Sequence, residues 1–214
     1  MVTVWFIRHG ESESNAGLPT SDPFAIKLTD RGDQQAKQIA LSFTQQPSLI
    51  VTSPYLRTKQ TAQLTIERFS STPQAEWFVQ EFTYLSLDRR QPTTNLERRS
   101  KVAAYWQQCD PFYVDGDGAE SFANLIDRIR YLRQQIEQLD EEFVAVFSHG
   151  LFMRAVLWSW LTNSVEISSE SMRRFRDFAD SFKLPNGAIL KLQLYNSDIW
   201  FSPIITSHLF EQYA

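Results

Sequence analysis

Val4-Trp5-Phe6-Ile7-Arg8-His9-Gly10-Glu11-Ser12, with Asn15 three residues further on, is the stretch from which the rest of the chain is read. The four apolar residues at its head read as a buried strand. A strand that ends in Arg-His-Gly sets a guanidinium and an imidazole at a sheet edge, and the glycine lets the backbone turn closely there. The pattern recurs: Phe143-Val144-Ala145-Val146-Phe147 runs straight into Ser148-His149-Gly150. The chain has three histidines, and two of them occupy this setting. That combination points to a phosphoryl-transfer site with His9 as nucleophile.

Outward from these two strands, helical and extended patterns alternate. The first strand spans about Val2 to Ile7. Residues 11–27 contain Gly17, Pro19 and Pro23 and read as a loop. Ala36, Ile39, Ala40 and Phe43 then recur at helical spacing, with Thr29 or Asp30 as N-cap. Leu49–Thr52 is a second strand. Ser53-Pro54 reads as N-cap and first helical position, which puts Arg57 in the first turn of a helix, at its anion-attracting end. That helix runs to about Phe69. Trp77-Phe78-Val79 is predicted as a third strand, with Gln80-Glu81 directly after it. A helix is expected around Asn95 to Gln108. Phe122, Leu125, Ile126, Ile129, Leu132, Ile136 and Leu139 form one apolar stripe of another. Helices are also expected over Leu151–Leu161 and residues 164–182. A terminal strand pair, Ala188–Leu194 and Trp200–Ile205, joins around Asn196-Ser197-Asp198.

Strands alternating with helices predict an α/β fold, a mostly parallel central sheet with helices on both faces. Arg8, His9, Ser53, Arg57, Glu81 and His149 all follow strands. Ligands of open α/β sheets bind at the carboxyl ends of their strands. A length of 214 residues fits one domain, residues 1–214, with segments 82–118 and 162–184 left over to cover a pocket.

Composition narrows the class. With 43% hydrophobic and 21% charged residues, the chain is ordinary globular material. A net charge of −4 argues against a general nucleic-acid binder. The single cysteine, Cys109, excludes an internal disulfide and reads as a partly buried thiol. No stretch is long enough to span a membrane, and the N-terminal apolar run is too short for a signal peptide. A cytoplasmic protein is the default expectation.

Phosphoryl transfer needs charge stabilisation, a nucleophile and a proton donor. Arg8 and Arg57 offer forked, permanently charged donors to phosphate oxygens. His149 offers another hydrogen bond from the opposite side. A neutral His9 nitrogen can then attack phosphorus in line and form a phosphohistidine, provided that its other nitrogen is tied down, most cheaply by a backbone carbonyl. Glu81 is the candidate acid: a carboxyl beside a dianion keeps its proton, protonates the leaving alcohol, and afterwards serves as base toward water. The arginines replace the charge of a metal, so neither metal nor cofactor is expected. The bland readings are a capping role for Asn15, a solvated face for Arg89, Arg90, Arg98 and Arg99, and a surface position for His208.

Arg8-His9-Gly10-Glu11-Ser12 with Asn15 resembles the signature of the histidine phosphatase superfamily, the phosphoglycerate mutase-like proteins. Leu28-Thr29…Gly32…Gln35-Ala36, Thr52-Ser53-Pro54…Arg57…Thr61-Ala62, Gln80-Glu81, Gly118-Ala119-Glu120-Ser121, Ser148-His149-Gly150 and Asn186-Gly187 resemble its later blocks, in order. The resemblance implies a three-layer fold and a phosphohistidine at His9. It implies a phosphate pocket of Arg8, Arg57 and His149 helped by Asn15, with Glu81 as proton donor. Many members follow the acid with glycine and Trp-Glu-Gly; here Phe82-Thr83-Tyr84-Leu85-Ser86-Leu87 stands instead, which makes Glu120 the reserve acid. Arg98-Arg99-Ser100 resembles a substrate-binding pair of the mutases but lacks the proline-rich continuation, so mutase specificity is not transferred. The expectation is a phosphate monoesterase acting on a phosphorylated small molecule. The alternatives are a phosphoglycerate mutase-type transferase and a non-catalytic phosphate-recognising module.

Overall fold

A computed structural model describes residues 1–86, 91–195 and 198–209. Its centre is a six-stranded sheet of β1 (Val2–Arg8), β2 (Leu49–Thr52), β3 (Gln74–Glu76), β4 (Phe143–Ser148), β5 (Ile189–Tyr195) and β6 (Asp198–Phe201). The spatial order is β3-β2-β4-β1-β5-β6. β1 to β4 are mutually parallel, and β5 and β6 add an antiparallel flank. The helices are α1 (Asp30–Ser42), α2 (Leu56–Arg68), α3 (Arg99–Gln108), α4 (Phe122–Glu137), α5 (Gly150–Leu161) and α6 (Ser169–Ser181).

β1 and β4 are continuous apolar runs because both their faces are covered. Alternate residues serve different cores. Val4, Phe6, Val144 and Val146 join the larger core with Leu125 and Ile129 of α4, Phe152 of α5 and Phe175 of α6. Trp5, Ile7, Ala145 and Phe147 join a smaller core with Ile39 and Phe43 and with Ala62 of α2. The result is three layers, helix-sheet-helix, as the alternation of elements implies.

Register sets the site. Arg8 pairs with Ser148 across β1 and β4, and Thr52 pairs with Phe147 across β2 and β4. The three neighbouring parallel strands therefore end at one level. The residues that leave them, His9, Ser53 and His149, emerge side by side.

Five boundaries differ from the sequence expectations. Trp77-Phe78-Val79 is not a strand. The edge strand is the polar Gln74–Glu76, paired to Ile50–Thr52. Trp77 gives β2 one last bond, to the Thr52 carbonyl (3.0 Å). The chain then turns away, with the Val79 N–H on the Trp77 carbonyl (2.8 Å) and Phe78 exposed. Ser53 does not cap α2: Tyr55 is at the N-cap position, and the Ser53 hydroxyl is engaged elsewhere. The terminal pair runs Asp198–Phe201, short of Ile205, because Pro203 has no N–H to extend a ladder; Ile205 keeps one isolated bridge to Ile189. Of the joining turn, residues 196–197 lie outside the described residues, as do Arg89 and Arg90. The helices expected over 95–108 and 164–182 begin later, at Arg99 and Ser169. Among the described residues, no helix is long and apolar enough to cross a membrane.

Candidate active site

β1 ends at Arg8 and delivers His9 into a turn that is closed from behind by backbone contacts. The His9 N–H donates to the Ser148 carbonyl (3.0 Å), and its own carbonyl accepts from Gly187 N and Asn186 Nδ2 (both 3.2 Å). The ring is 3% exposed. Its Nδ1 lies 2.6 Å from the Gly10 carbonyl oxygen. A carbonyl can only accept, so Nδ1 carries the proton and Nε2 carries the lone pair. Arg57 Nε donates to that Nε2 (3.1 Å). Burial first, then the charges of Arg57 and Arg8, hold the ring well below the ordinary histidine value; the Gly10 bond opposes them. His9 is thus neutral, with one nitrogen locked and the other facing cations.

His149 caps α5 and is fully buried. Its ring stands 5.0 Å from that of His9, at 61°. Nε2 meets the Ser53 hydroxyl at 2.7 Å, and Nδ1 is buried without a partner among the described residues. Burial, then Arg57, His9, Arg128 and Arg8, lower its pKa well below the ordinary value.

Two guanidiniums flank the rings. Arg57, in the first turn of α2, is 6% exposed and also donates to the Pro23 carbonyl (2.7 Å). Arg8 donates through Nη1 to the Leu184 carbonyl, while its buried Nε has no partner among the described residues. Burial pushes both down to about 10, and Glu81 holds both up against it.

Glu81 sits five residues beyond β3, not directly after a strand. Its carboxylate lies on the N-terminus of α5, accepting from Leu151 N (3.1 Å), Phe152 N (3.0 Å) and its own neighbour Phe82 N (3.1 Å). The approach to it is gripped from two sides. Ser148 Oγ donates to the Val79 carbonyl (2.7 Å), and Arg128 Nη1 donates to the carbonyls of Phe78 (3.0 Å) and Gln80 (2.9 Å). Arg128 is in turn forked onto Glu120, with both bonds at 2.8 Å. Glu120, the reserve acid, is occupied in holding the arginine that holds the Glu81 segment.

Asn15 is exposed, and its Oδ1 accepts from Ser12 N (3.2 Å), Ser12 Oγ (2.9 Å) and Asn186 Nδ2 (2.9 Å). It caps the turn, and its amide nitrogen remains as a donor. Arg98 is not simply a solvated residue. It clamps two loops, donating to the carbonyls of Thr93 (2.7 Å) and Thr20 (3.3 Å) and to Asn95 Oδ1 (2.8 Å). His208 is half-buried rather than a surface residue, with Nε2 2.9 Å from the Gly187 carbonyl.

Tyr55 is a wall of the site that the sequence did not single out. Its ring packs edge-on to His149 (5.2 Å) and under the Arg57 guanidinium (4.8 Å), and its hydroxyl meets Thr83 Oγ1 (3.0 Å). Its position two residues after Ser53 and two before Arg57 was the available signal. The structure therefore brings Arg8, His9, Arg57, Glu81 and His149 together and leaves Asn15 at the rim.

The family model for the histidine phosphatase superfamily (branch 1) matches residues 4–198. The probable phosphoglycerate mutase GpmB of Salmonella choleraesuis is 25% identical over 205 residues, which cover 89% of this chain and 92% of that protein. The alpha-ribazole phosphatase of Shigella flexneri superposes with a TM-score of 0.71 at 19% identity, covering 95% of this chain and 96% of that one. The phosphoserine phosphatase of Entamoeba histolytica, an H9A mutant in complex with phosphoserine, superposes with a TM-score of 0.70 at 20% identity, covering 98% and 100%. At these identities the structural likenesses speak for the fold.

Proposed function

Since this chain belongs to the histidine phosphatase superfamily (branch 1), we propose that it hydrolyses phosphate monoesters of small molecules through a phosphohistidine on His9. The observation that carries this reading is the His9 ring. Nδ1 is locked on the Gly10 carbonyl, and the Nε2 lone pair is presented to Arg57 in a buried, cationic setting.

An incoming phosphoryl group gives Arg57 a charged acceptor stronger than an imidazole nitrogen, which frees the lone pair. Arg8 Nε and His149 Nδ1, both buried and without partners among the described residues, supply further donors. Ser53 Oγ donating to Nε2 of His149 leaves the proton on Nδ1, where a phosphate oxygen can use it. His9 Nε2 then bonds to phosphorus as the ester P–O bond breaks, and Glu81 delivers a proton to the leaving alcohol oxygen. Water next attacks phosphorus, the P–N bond breaks, Glu81 takes the proton of water, and inorganic phosphate leaves. Asn15 adds its amide donor at the rim. The whole chain acts as one domain, with parts of 82–118 and 162–184 over the pocket; residues 87–90 of the first segment are outside the described residues. Relatives named as phosphatases, one of them in complex with phosphoserine, support a phosphorylated small molecule as substrate.

Intact-protein mass after an acid-free quench with an aryl phosphate tests this. Wild type should carry a phosphate-sized adduct and release phosphate, and His9→Ala should do neither. Turnover that survives His9→Ala overturns the mechanism. The relative named as a phosphoglycerate mutase favours transferase activity as the second reading. Product analysis with 3-phosphoglycerate separates the two, since a mutase returns the 2-isomer and a phosphatase returns glycerate and free phosphate.

A further inference from the structure

The peptide unit between Gly10 and Glu11 carries the acceptor on which the His9 ring is locked, and side-chain amides hold that peptide at both ends. Its carbonyl oxygen, 2.6 Å from His9 Nδ1, also accepts from Asn186 Nδ2 (3.2 Å). Its N–H, that of Glu11, donates to Gln35 Oε1 (2.7 Å). Among the described residues no other hydrogen bond reaches this peptide. The partners fix how both amides point. Backbone carbonyls only accept, so Asn186 turns its nitrogen to the oxygens of His9 and Gly10. A backbone N–H only donates, so Gln35 turns its oxygen to Glu11.

Both amides belong to elements outside the β1 turn. Gln35 is half-buried on α1, the helix whose Gly32 lies against Gly10. Asn186 is half-buried just ahead of β5. Its place is set by Gly187, whose N–H donates to the His9 carbonyl (3.2 Å) and whose own carbonyl meets His208 Nε2 at 2.9 Å. His208, which has no part in the chemistry, thus braces the residue next to Asn186. A third bond from Asn186 Nδ2, to Asn15 Oδ1 (2.9 Å), ties the rim to the same point.

The polarity of this peptide decides the tautomer of the ring. With the carbonyl toward His9, Nδ1 keeps the proton and Nε2 keeps the lone pair. Half a turn of the peptide plane would bring the Glu11 N–H to Nδ1 instead. Nδ1 would then accept, the proton would sit on Nε2, and no lone pair would face phosphorus. Glycine at position 10 widens the backbone angles open to such a rotation. Arg57 Nε enforces the same tautomer by donating to Nε2 (3.1 Å). That second control is lost once a phosphoryl group takes over Arg57. From then on the Gly10 carbonyl alone keeps the proton on Nδ1, at the moment when Nε2 must attack.

We propose that Gln35 and Asn186 are positioning residues that set the His9 tautomer by clamping the Gly10–Glu11 peptide from its two ends. This inference rests on the reading of His9 Nε2 as the nucleophile. It gives a chemical task to two side chains that make no hydrogen bond to the His9 ring.

Three variants test it. Asn186→Asp replaces the donor at the carbonyl end with an acceptor, Gln35→Met removes the acceptor at the N–H end, and Gln35→Glu keeps that acceptor. Each is made alone and in an Arg57→Met background, where the peptide is the remaining control on the ring. The tautomer is read from the side-chain resonances of nitrogen-15-labelled histidine at about pH 8, above the ordinary histidine value, with His9 assigned by its loss in His9→Ala. Arg57→Met by itself should show His9 in the Nδ1–H form, and so should its combination with Gln35→Glu. Adding Asn186→Asp or Gln35→Met should bring in the Nε2–H form. With Arg57 intact, these two variants should lower kcat for an aryl phosphate by about tenfold or more with a smaller change in KM, because a ring in the wrong tautomer cannot attack a bound phosphoryl group. Gln35→Glu should stay near wild type. Unchanged Nδ1–H signals would overturn the proposal whatever happens to kcat, since a structural role alone can lower turnover. Equal losses in Gln35→Glu and Gln35→Met would overturn it too. If urea unfolding shows that one variant does not fold, the other, acting at the opposite end of the peptide, still decides. A tautomer that shifts as expected, in a protein whose wild type shows no turnover and no phosphoenzyme, would instead overturn the hydrolytic reading and leave the clamp standing.

Discussion

At the scale of single residues, the two buried histidines dominate the pH response. Unfolded rings take up protons near pH 6.5, whereas burial and the arginines keep the folded rings neutral to lower pH. Below that value the unfolded state binds more protons, so stability falls as pH falls, by about 1.4 kcal/mol per pH unit for each ring. Above about pH 7 the rings add no pH dependence. Urea midpoints measured from pH 5 to 8 should show this slope, and a flat profile would mean that the rings are not buried neutral. Glu81→Gln should lower turnover of alkyl phosphates by roughly 10²–10⁴-fold, with a smaller loss on aryl phosphates, whose leaving groups need less protonation. Equal losses on both would take the proton-donor role from Glu81. Arg8 and the two histidines were readable because they sit at the ends of apolar runs, where a buried strand meets a glycine, whereas Arg57 was read from the Ser53-Pro54 context at a helix start. Glu81 is read from sequence as following a Trp77–Val79 strand, and that strand is absent; the edge strand ends at Glu76. The arginine that grips its segment lies 47 positions downstream, on α4, and no local pattern connects the two.

At the scale of elements, the junction between the β1 turn and α1 is the most exacting contact. Added Cβ atoms would lie 2.5 Å from the Gly32 carbonyl oxygen at Gly10 and 2.1 Å from the Glu11 carbonyl oxygen at Gly32. Both obstacles are backbone, which cannot rotate aside. The crossing is fastened by Thr29 N on the Glu11 carbonyl (2.9 Å), and Gly10 N on Thr61 Oγ1 (3.0 Å) ties the same turn to α2. Gly32→Ala should therefore cost about 3 kcal/mol in urea unfolding and reduce turnover as well, although residue 32 touches no substrate. A neutral result would mean that α1 can slide away from the catalytic turn. The amphipathic helices α1 and α4 announced themselves through spacing, and Thr29 and Ser121 cap them through side-chain oxygens. β3 did not, because it is a short exposed edge whose Gln74-Ala75-Glu76 carries no apolar run; the aromatic Trp77-Phe78-Val79 beside it imitated one. Ser53-Pro54 imitated a helix start for a similar reason: the Ser53 hydroxyl accepts from the Tyr55 N–H (3.2 Å), ahead of the helix, and meets His149 (2.7 Å) rather than capping a helical N–H.

At the scale of the whole molecule, one sheet is shared by two cores of unequal size. Trp5 reports on the smaller core, and Trp106, Trp158 and Trp160 report on the larger. Since β1 and β4 contribute alternate side chains to both, neither core should melt alone. Tryptophan fluorescence of a Trp5-only variant and of a variant lacking only Trp5 should give coincident urea transitions with far-UV circular dichroism. Separate midpoints would show the layers to be independent. The three-layer plan was legible from the alternation of elements, whereas the antiparallel flank depends on pairings between β1 and β5 that sequence spacing does not reveal. That same central placement of β1 has a consequence for biosynthesis. β1 is bounded on both sides by strands made some 140 and 185 residues after it, and the turn that follows it is closed by Asn186 and Gly187. A nascent chain therefore carries His9 until β4 and β5 are made without the neighbours that bury it. On the proposed mechanism, chains that stop short of residue 187 should form no phosphoenzyme with an aryl phosphate.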